Sequence, residues 1–184
     1  MDTGEKDYRL FLNGDEGALV RLIDAYRDGL MLYINGIVSD GAAAEELTED
    51  VFLKLVLKKP RFSARSSFKT WLYAIGRNLA LDHLRRNKNA LVSQEELTHQ
   101  LADGTDLERD YIQRHNFQVV HKEMKNLKPE YRQALWLVYF EGFSCGEVGR
   151  IMKKSTHNVE MLISRARRAL KNQLMKEGFE YENF

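Results

Sequence analysis

The run "SCGEVGRIMKKSTHNVEMLISRARRALKNQL", residues 144–174, places two short helices around a tight break. It opens on a capping-box pattern, Ser144 with Glu147 three residues on. Val148, Ile151 and Met152 then fall on the inward side of the first helix, and Lys153, Lys154 and Ser155 supply the turn. The second helix starts near Ser155 or Thr156, with Val159, Leu162, Ile163, Ala166 and Leu170 at the 3–4 spacing of a buried stripe. Its other side carries Thr156, His157, Glu160, Met161, Ser164, Arg165, Arg168 and Lys171. A helix that reads duplex DNA needs an apolar stripe to fix its angle. It also needs short polar side chains near its N-terminus to meet base edges, and cations to meet phosphates. The positive end of the helix dipole and the free amides at Ser155–His157 also suit a phosphate. A surface-charged helical hairpin is the plainer reading of the same pattern.

Outside this run the charge is divided by position. Residues 1–57 are net −7, 58–88 net +8, 89–147 net −4, 148–176 net +7 and 177–184 net −3, which leaves the 184-residue chain at +1. Two compact positive blocks inside an acidic chain suggest two contacts with polyanions and a separate acidic surface. With 2 prolines and 12 glycines the chain is not of the Pro/Gly-rich disordered or fibrous kind. The lone Cys145 excludes an intrachain disulfide and fits a reducing compartment. No apolar run approaches the roughly 20 residues of a membrane span, and the acidic start "MDTGEKDYRLF" is unlike a secretory signal. A cytoplasmic protein without membrane insertion is expected.

Helical periodicity dominates, so an all-α fold of two small helical domains is predicted. Asp15 is a good N-cap for a helix with Leu19, Leu22, Ile23, Tyr26, Leu30, Tyr33, Ile34 and Ile37 on one stripe. Ala43, Leu47, Val51 and Leu55 line the next helix, which Pro60 breaks, with Glu45, Glu46, Glu49 and Asp50 off the stripe. After the loop "RFSARSS", Phe68, Trp71, Leu72, Ile75 and Leu79 again track one face. Periodicity fades over the polar stretch 87–110 and resumes with "LERDYIQRHNFQVVHKEMKNL". A further helix has Pro129 in its first turn and Gly142 just past its end. Trp136, Leu137 and Phe140 make that helix apolar on two faces. The expected domains are 1–88 and 117–176, with a flexible linker over 89–116 and an acidic tail over 177–184.

The first positive block, "KKPRFSARSSFKTWLYAIGRNLALDHLRRNK", interleaves cations such as Lys69 and Arg85 with Phe62, Phe68, Trp71 and Tyr73. Aromatics stack on unpaired bases while Arg and Lys follow the backbone, each stacked base contributing roughly 1–3 kcal/mol. Phe68 and Trp71 fit a core stripe equally well. Phe62 and Arg65 in the loop, and Asn78 in a mostly apolar helix, are harder to read as core.

Both blocks in this order, separated by such a linker, resemble the bacterial RNA polymerase sigma factors of the extracytoplasmic-function (ECF) group. "AEELTEDVFLKLV" with "FKTWLYAIGRNLALDHLRR" is similar to that family's region 2, and "LKPEYRQALWLVYFEGFSCGEVGRIMKKSTHNVEMLISRARRAL" to its region 4. The resemblance implies a protein that binds core RNA polymerase, directs it to promoter DNA and promotes strand opening. It implies that Asp40, Glu46, Glu49, Asp50 and Phe52 face the polymerase. The loop with Arg61, Phe62, Ser63, Arg65 and Ser66, and Lys69, Trp71, Arg77, Asn78, Asp82 and Arg85 after it, would hold the minus-ten single strand. There an extruded base costs a few kcal/mol of unstacking that a pocket must return. Lys153, Ser155, Thr156, Asn158, Glu160, Met161, Ser164, Arg165 and Arg168 would meet the minus-thirty-five duplex. The chain departs from the family pattern at Asn158 (commonly Thr), Glu160 (commonly Lys or Arg) and Glu49 (commonly Gln). A carboxylate at 160 cannot hold guanine as a cation does, but it can accept from cytosine N4; pairing with Arg165 or Ser164 is the alternative. The resemblance also implies control by an anti-sigma factor.

The rival reading is a helix-turn-helix regulator that binds duplex DNA independently of polymerase. An enzyme is not expected. His83, His99, His115, His121 and His157 lack metal-ligand spacing, Cys145 lacks a nucleophile motif, and no glycine-rich phosphate loop is present. Neither a metal nor a cofactor is expected.

Overall fold

The structure, a computed structural model, describes residues 2–90, 123–124 and 126–176. Among these, all regular structure is helical: α1 Thr3–Leu12, α2 Glu16–Val38, α3 Gly41–Lys58, α4 Phe68–Ala90, α5 Pro129–Tyr139, α6 Cys145–Met152 and α7 Thr156–Lys176. The expected linker past Ala90, the helical pattern over 107–122 and the acidic tail 177–184 lie outside the described residues.

α1–α4 form a first module. Asp15 caps α2 as expected, its Oδ1 accepting from the Ala18 amide at 3.2 Å, and Asp40 caps α3 through the Ala43 amide at 3.2 Å. Leu22, Leu30, Tyr33, Ile34 and Ile37 of α2, Leu47, Val51 and Leu55 of α3, and Phe68 and Leu72 of α4 are buried. Full burial of such a side chain contributes roughly 1.5–3 kcal/mol. On α3 the stripe differs from expectation by one step, because Ala44 goes into the core and Ala43 is half-buried.

The N-terminal stretch, read above for its charge, forms α1 and closes one side of this bundle. Asp2 caps two helices at once. Its Oδ1 accepts from the Glu5 amide at 2.6 Å, and its Oδ2 accepts from the Phe68 amide at 2.7 Å, where α4 begins. Tyr8 is fully buried and donates its hydroxyl proton to the Pro60 carbonyl oxygen at 2.7 Å. Burial pushes its phenol up to about 12. The loop 61–67 is thus pinned at both ends by α1.

α5–α7 form the second module. Pro129 opens α5, and Gly142 adopts φ 71° in the turn after it, as expected of both. The capping box at Ser144 is complete: the Glu147 amide donates to Ser144 Oγ at 3.3 Å, and the Ser144 amide donates to Glu147 Oε2 at 3.0 Å. Ser155 caps α7 through the Asn158 amide at 3.2 Å. Val148, Ile151 and Met152 of α6 pack with Val159, Leu162, Ile163 and Ala166 of α7, all buried. Trp136 and Leu137 are buried too, while the half-open Phe140 ring stacks on Trp136 at 4.5 Å. α5 is covered on two faces, by α7 of its own module and by α2 of the first, and α6 lies on α4.

Candidate nucleic-acid interface

The turn between α6 and α7 sets the angle of the expected recognition helix. Lys153 ends α6 in the left-handed conformation, φ 57°, and its amide donates back to the Gly149 carbonyl. Gly149 lets the turn fold back tightly on α6: a Cβ there would stand 2.6 Å from the Lys154 carbonyl oxygen. The turn is also tied to α5, since Lys154 Nζ lies 3.2 Å from Glu130 Oε1. Held in this way, α7 presents Thr156, Asn158, Glu160, Met161, Ser164, Arg165 and Arg168 to solvent, with Lys153 and Ser155 exposed just before them. The expected face is assembled as one surface. The alternative pairing of Glu160 with Arg165 or Ser164 does not form among the described residues.

The second set of expected contacts is split by the structure. In the loop, Arg61, Ser63 and Arg65 are exposed around Ala64, which takes φ 53°, and Ser66 is half-buried. Phe62 is drawn inward: its ring meets Phe68 edge-on at 5.9 Å and Trp71 at 5.4 Å. Trp71 in turn lies 5.5 Å from Tyr8. Both rings are half-buried in an aromatic cluster, which is the core alternative left open for Trp71 and differs from the open placement expected of Phe62. Asn78 and Asp82 are half-buried, and the exposed Arg85 pairs with Asp82 at 3.1 Å. Arg77 is buried and Lys69 half-buried, and both side chains reach toward the second module. Lys69 Nζ sits 2.9 Å from Glu141 Oε2, and Arg77 Nε donates to Gln133 Oε1 at 3.0 Å.

A third surface lies on α3. Glu46, Glu49 and Asp50 are exposed on it, and the cap residue Asp40 is exposed at its start. Phe52 is not on that surface: it is 6% exposed and packs in the core beneath. The sequence reading missed Leu53 and Leu57, which are 51% and 71% exposed beside the acids. Their signal was available, since neither falls on the Leu47–Val51–Leu55 stripe. Acids around two open leucines suit a protein partner, with apolar area at the centre and charge at the rim.

Comparison with known proteins bears on what these surfaces serve. Residues 22–90 match the family model described as Sigma-70 region 2, and residues 117–170 match that of Sigma-70, region 4. The RNA polymerase sigma-H factor of Pseudomonas aeruginosa is 30% identical over 95% of this chain and 96% of its own length. The ECF RNA polymerase sigma factor SigW of Bacillus subtilis is 26% identical over 88% and 91%. The chain belongs to the sigma-70 family, in its ECF group. The fold of this sigma factor is shared by CnrH, solved in complex with the cytosolic domain of CnrY, with TM-score 0.70 and 19% identity over 95% and 99% of the two chains. It is shared too by the sigma factor RpoE of Bartonella quintana, solved with the anti-sigma factor NepR, with TM-score 0.68 and 22% identity over 84% and 95%. Within this sigma factor the α7 face and the loop cations stand open, while part of the α4 surface is covered by its own second module.

Proposed function

We propose that this sigma factor joins core RNA polymerase in the cytoplasm, places it on specific promoters and holds the separated strand during initiation. It regulates transcription and catalyses no reaction of its own. Residues 1–88 serve as the region 2 domain and 117–176 as the region 4 domain. The α3 surface, with Glu46, Glu49, Asp50 and the neighbouring Leu53 and Leu57, docks on polymerase. α7 enters the major groove of the minus-thirty-five duplex, where Asn158, Glu160, Met161, Ser164 and Arg165 meet base edges and Lys153 and Arg168 meet phosphates. The loop 61–67 receives the minus-ten strand, with Arg61 and Arg65 tracking its backbone and α4 continuing the contact. A partner of the anti-sigma type, as in the solved complexes of similar fold, controls access to these surfaces.

The observation that carries this reading is the presence of three separate exposed surfaces, two cationic and one acidic with open leucines, on one chain of this family. A regulator acting on duplex DNA alone has use for α7 and none for the other two. Run-off transcription with purified core polymerase tests it. The chain is expected to give promoter-dependent product. The double variant Glu46→Lys, Asp50→Lys is expected to bind polymerase at least about tenfold more weakly, through reversed charge at the docking rim. Full duplex binding with no product above that of core polymerase would leave the independent regulator as the correct description.

A further inference from the structure

The loop that carries Arg61 and Arg65 has little structure of its own. Among the described residues, positions 61–66 make no hydrogen bond and no ion pair, and Ala64 takes a left-handed φ of 53°. A segment of this kind keeps one shape only through its ends and through what packs beneath it. α1 supplies both. Where the loop starts, Tyr8 donates its hydroxyl proton to the Pro60 carbonyl oxygen at 2.7 Å, and Lys59 Nζ stands over the Phe11 ring at 5.4 Å. Where it ends, the Phe68 amide donates to Asp2 Oδ2 at 2.7 Å. Beneath it, the Tyr8 ring lies 5.3 Å from Phe68 and 5.5 Å from Trp71, the two rings that meet Phe62. Gly4 lets α1 come this close, since a Cβ there would stand 2.7 Å from Phe68 Cδ1.

α1 is itself firmly seated. Asp7 is 8% exposed and accepts from Arg21 Nε of α2 at 2.9 Å, while Tyr8 and Phe11 are buried. Asp2 uses its two oxygens for two tasks. Oδ1 accepts from the Glu5 amide at 2.6 Å and caps α1, and Oδ2 holds the end of the loop. Both tasks need a carboxylate, because a carboxamide has an N–H donor in place of the second oxygen. α1 lies outside the stretch 22–90 that matches region 2.

We infer that α1 is the base plate of the strand-receiving loop, with Asp2 and Tyr8 as positioning residues that act through Phe68 and Pro60. This rests on loop 61–67 receiving the minus-ten strand, as proposed above. Fastened to α1, the loop presents Arg61 and Arg65 in one arrangement. Released, it samples many, and strand binding must bear the cost of ordering it. The apparent affinity for the strand then falls in proportion to the fraction of molecules in which the loop is set.

Two measurements on the full chain test this. The motion of the loop is read from a nitroxide at Ser63→Cys in a Cys145→Ser background, without polymerase. Strand selection is read without the label, by transcription from a randomised promoter pool with core polymerase. Tyr8→Phe removes one hydroxyl and keeps the ring. Asp2→Asn keeps α1 capped, since Asn caps as well as Asp, but turns an N–H toward the Phe68 amide. Both variants are expected to make the nitroxide more mobile. Each is expected to lower enrichment of the downstream promoter block roughly tenfold, with the upstream block unchanged. Asp15→Ala removes the α2 cap, a bond of the same kind that the loop does not use. It is expected to lower the melting temperature and leave the downstream block intact. A nitroxide already mobile in the otherwise unaltered chain, or equally restrained in both variants, would overturn the base plate. So would a freed loop with full downstream enrichment, or the same loss of enrichment in Asp15→Ala. An unaltered chain that enriches no downstream block would count against the proposed function, and the nitroxide would still decide whether α1 holds the loop.

Discussion

Gly149 shows what one missing methyl does for the interface. With its would-be Cβ only 2.6 Å from the Lys154 carbonyl oxygen, Gly149→Ala must push backbone against backbone and tilt α7 away from α6. An overpacking cost of about 2 kcal/mol is expected, read as a lower midpoint in denaturant unfolding of the second module, with the duplex-reading face losing its angle. An unchanged midpoint would mean that the turn relaxes freely. The sequence indicated a tight break here but not which residue makes it tight. Burial at single positions was mixed for the same kind of reason. Val159 and Ile163 lie squarely on a period and were read correctly. Phe52 sits one step past Val51 at the edge of the stripe, and which way its ring turns depends on the helices packed around it. Arg77 gave no local sign of its fate, because its partner Gln133 is 56 residues away in the chain.

Helix ends were the most readable elements, since caps are local chemistry. The Asp15 cap, the Ser144 box, Pro129 at the first position and the Ser155 cap all stand where the residues indicated. α1 escaped because half of what stabilises it is remote: Asp2 also caps α4 and Tyr8 reaches Pro60. Glu147 joins both kinds of contact. Burial alone would raise its pKa, but hydrogen bonds from Ser144, Thr70 and Ser67 outweigh it and hold the carboxyl below its ordinary 4.5. A depressed folded value means that the ionised side chain adds stability above the ordinary pKa, and that this is lost as pH falls through the folded value. The melting temperature of the chain is therefore expected to exceed that of Glu147→Gln at pH 7, with the gap closing on acidification below about pH 4.5. A gap independent of pH would show that the charge on Glu147 does not contribute.

For the molecule as a whole, charge was legible along the chain and misleading in space. The two positive blocks and the acidic stretches around them pointed to separate contacts, and family membership accords with that division. What the sequence did not show is that the acidic middle block, through Glu141 and Glu147, lies against the first positive block. Pairing between segments some 70–80 residues apart leaves no periodic trace, and it divides the α4 cations into open and covered sets.

The division of labour between the modules is tested most directly by transcription from a randomised promoter pool with core polymerase and this chain. Start sites preceded by two enriched blocks are expected. Arg165→Ala should erode the upstream block alone, Arg65→Ala the downstream block alone, and Glu160→Ala should change base preference at one upstream position. Start sites no more selective than those of core polymerase by itself would contradict it.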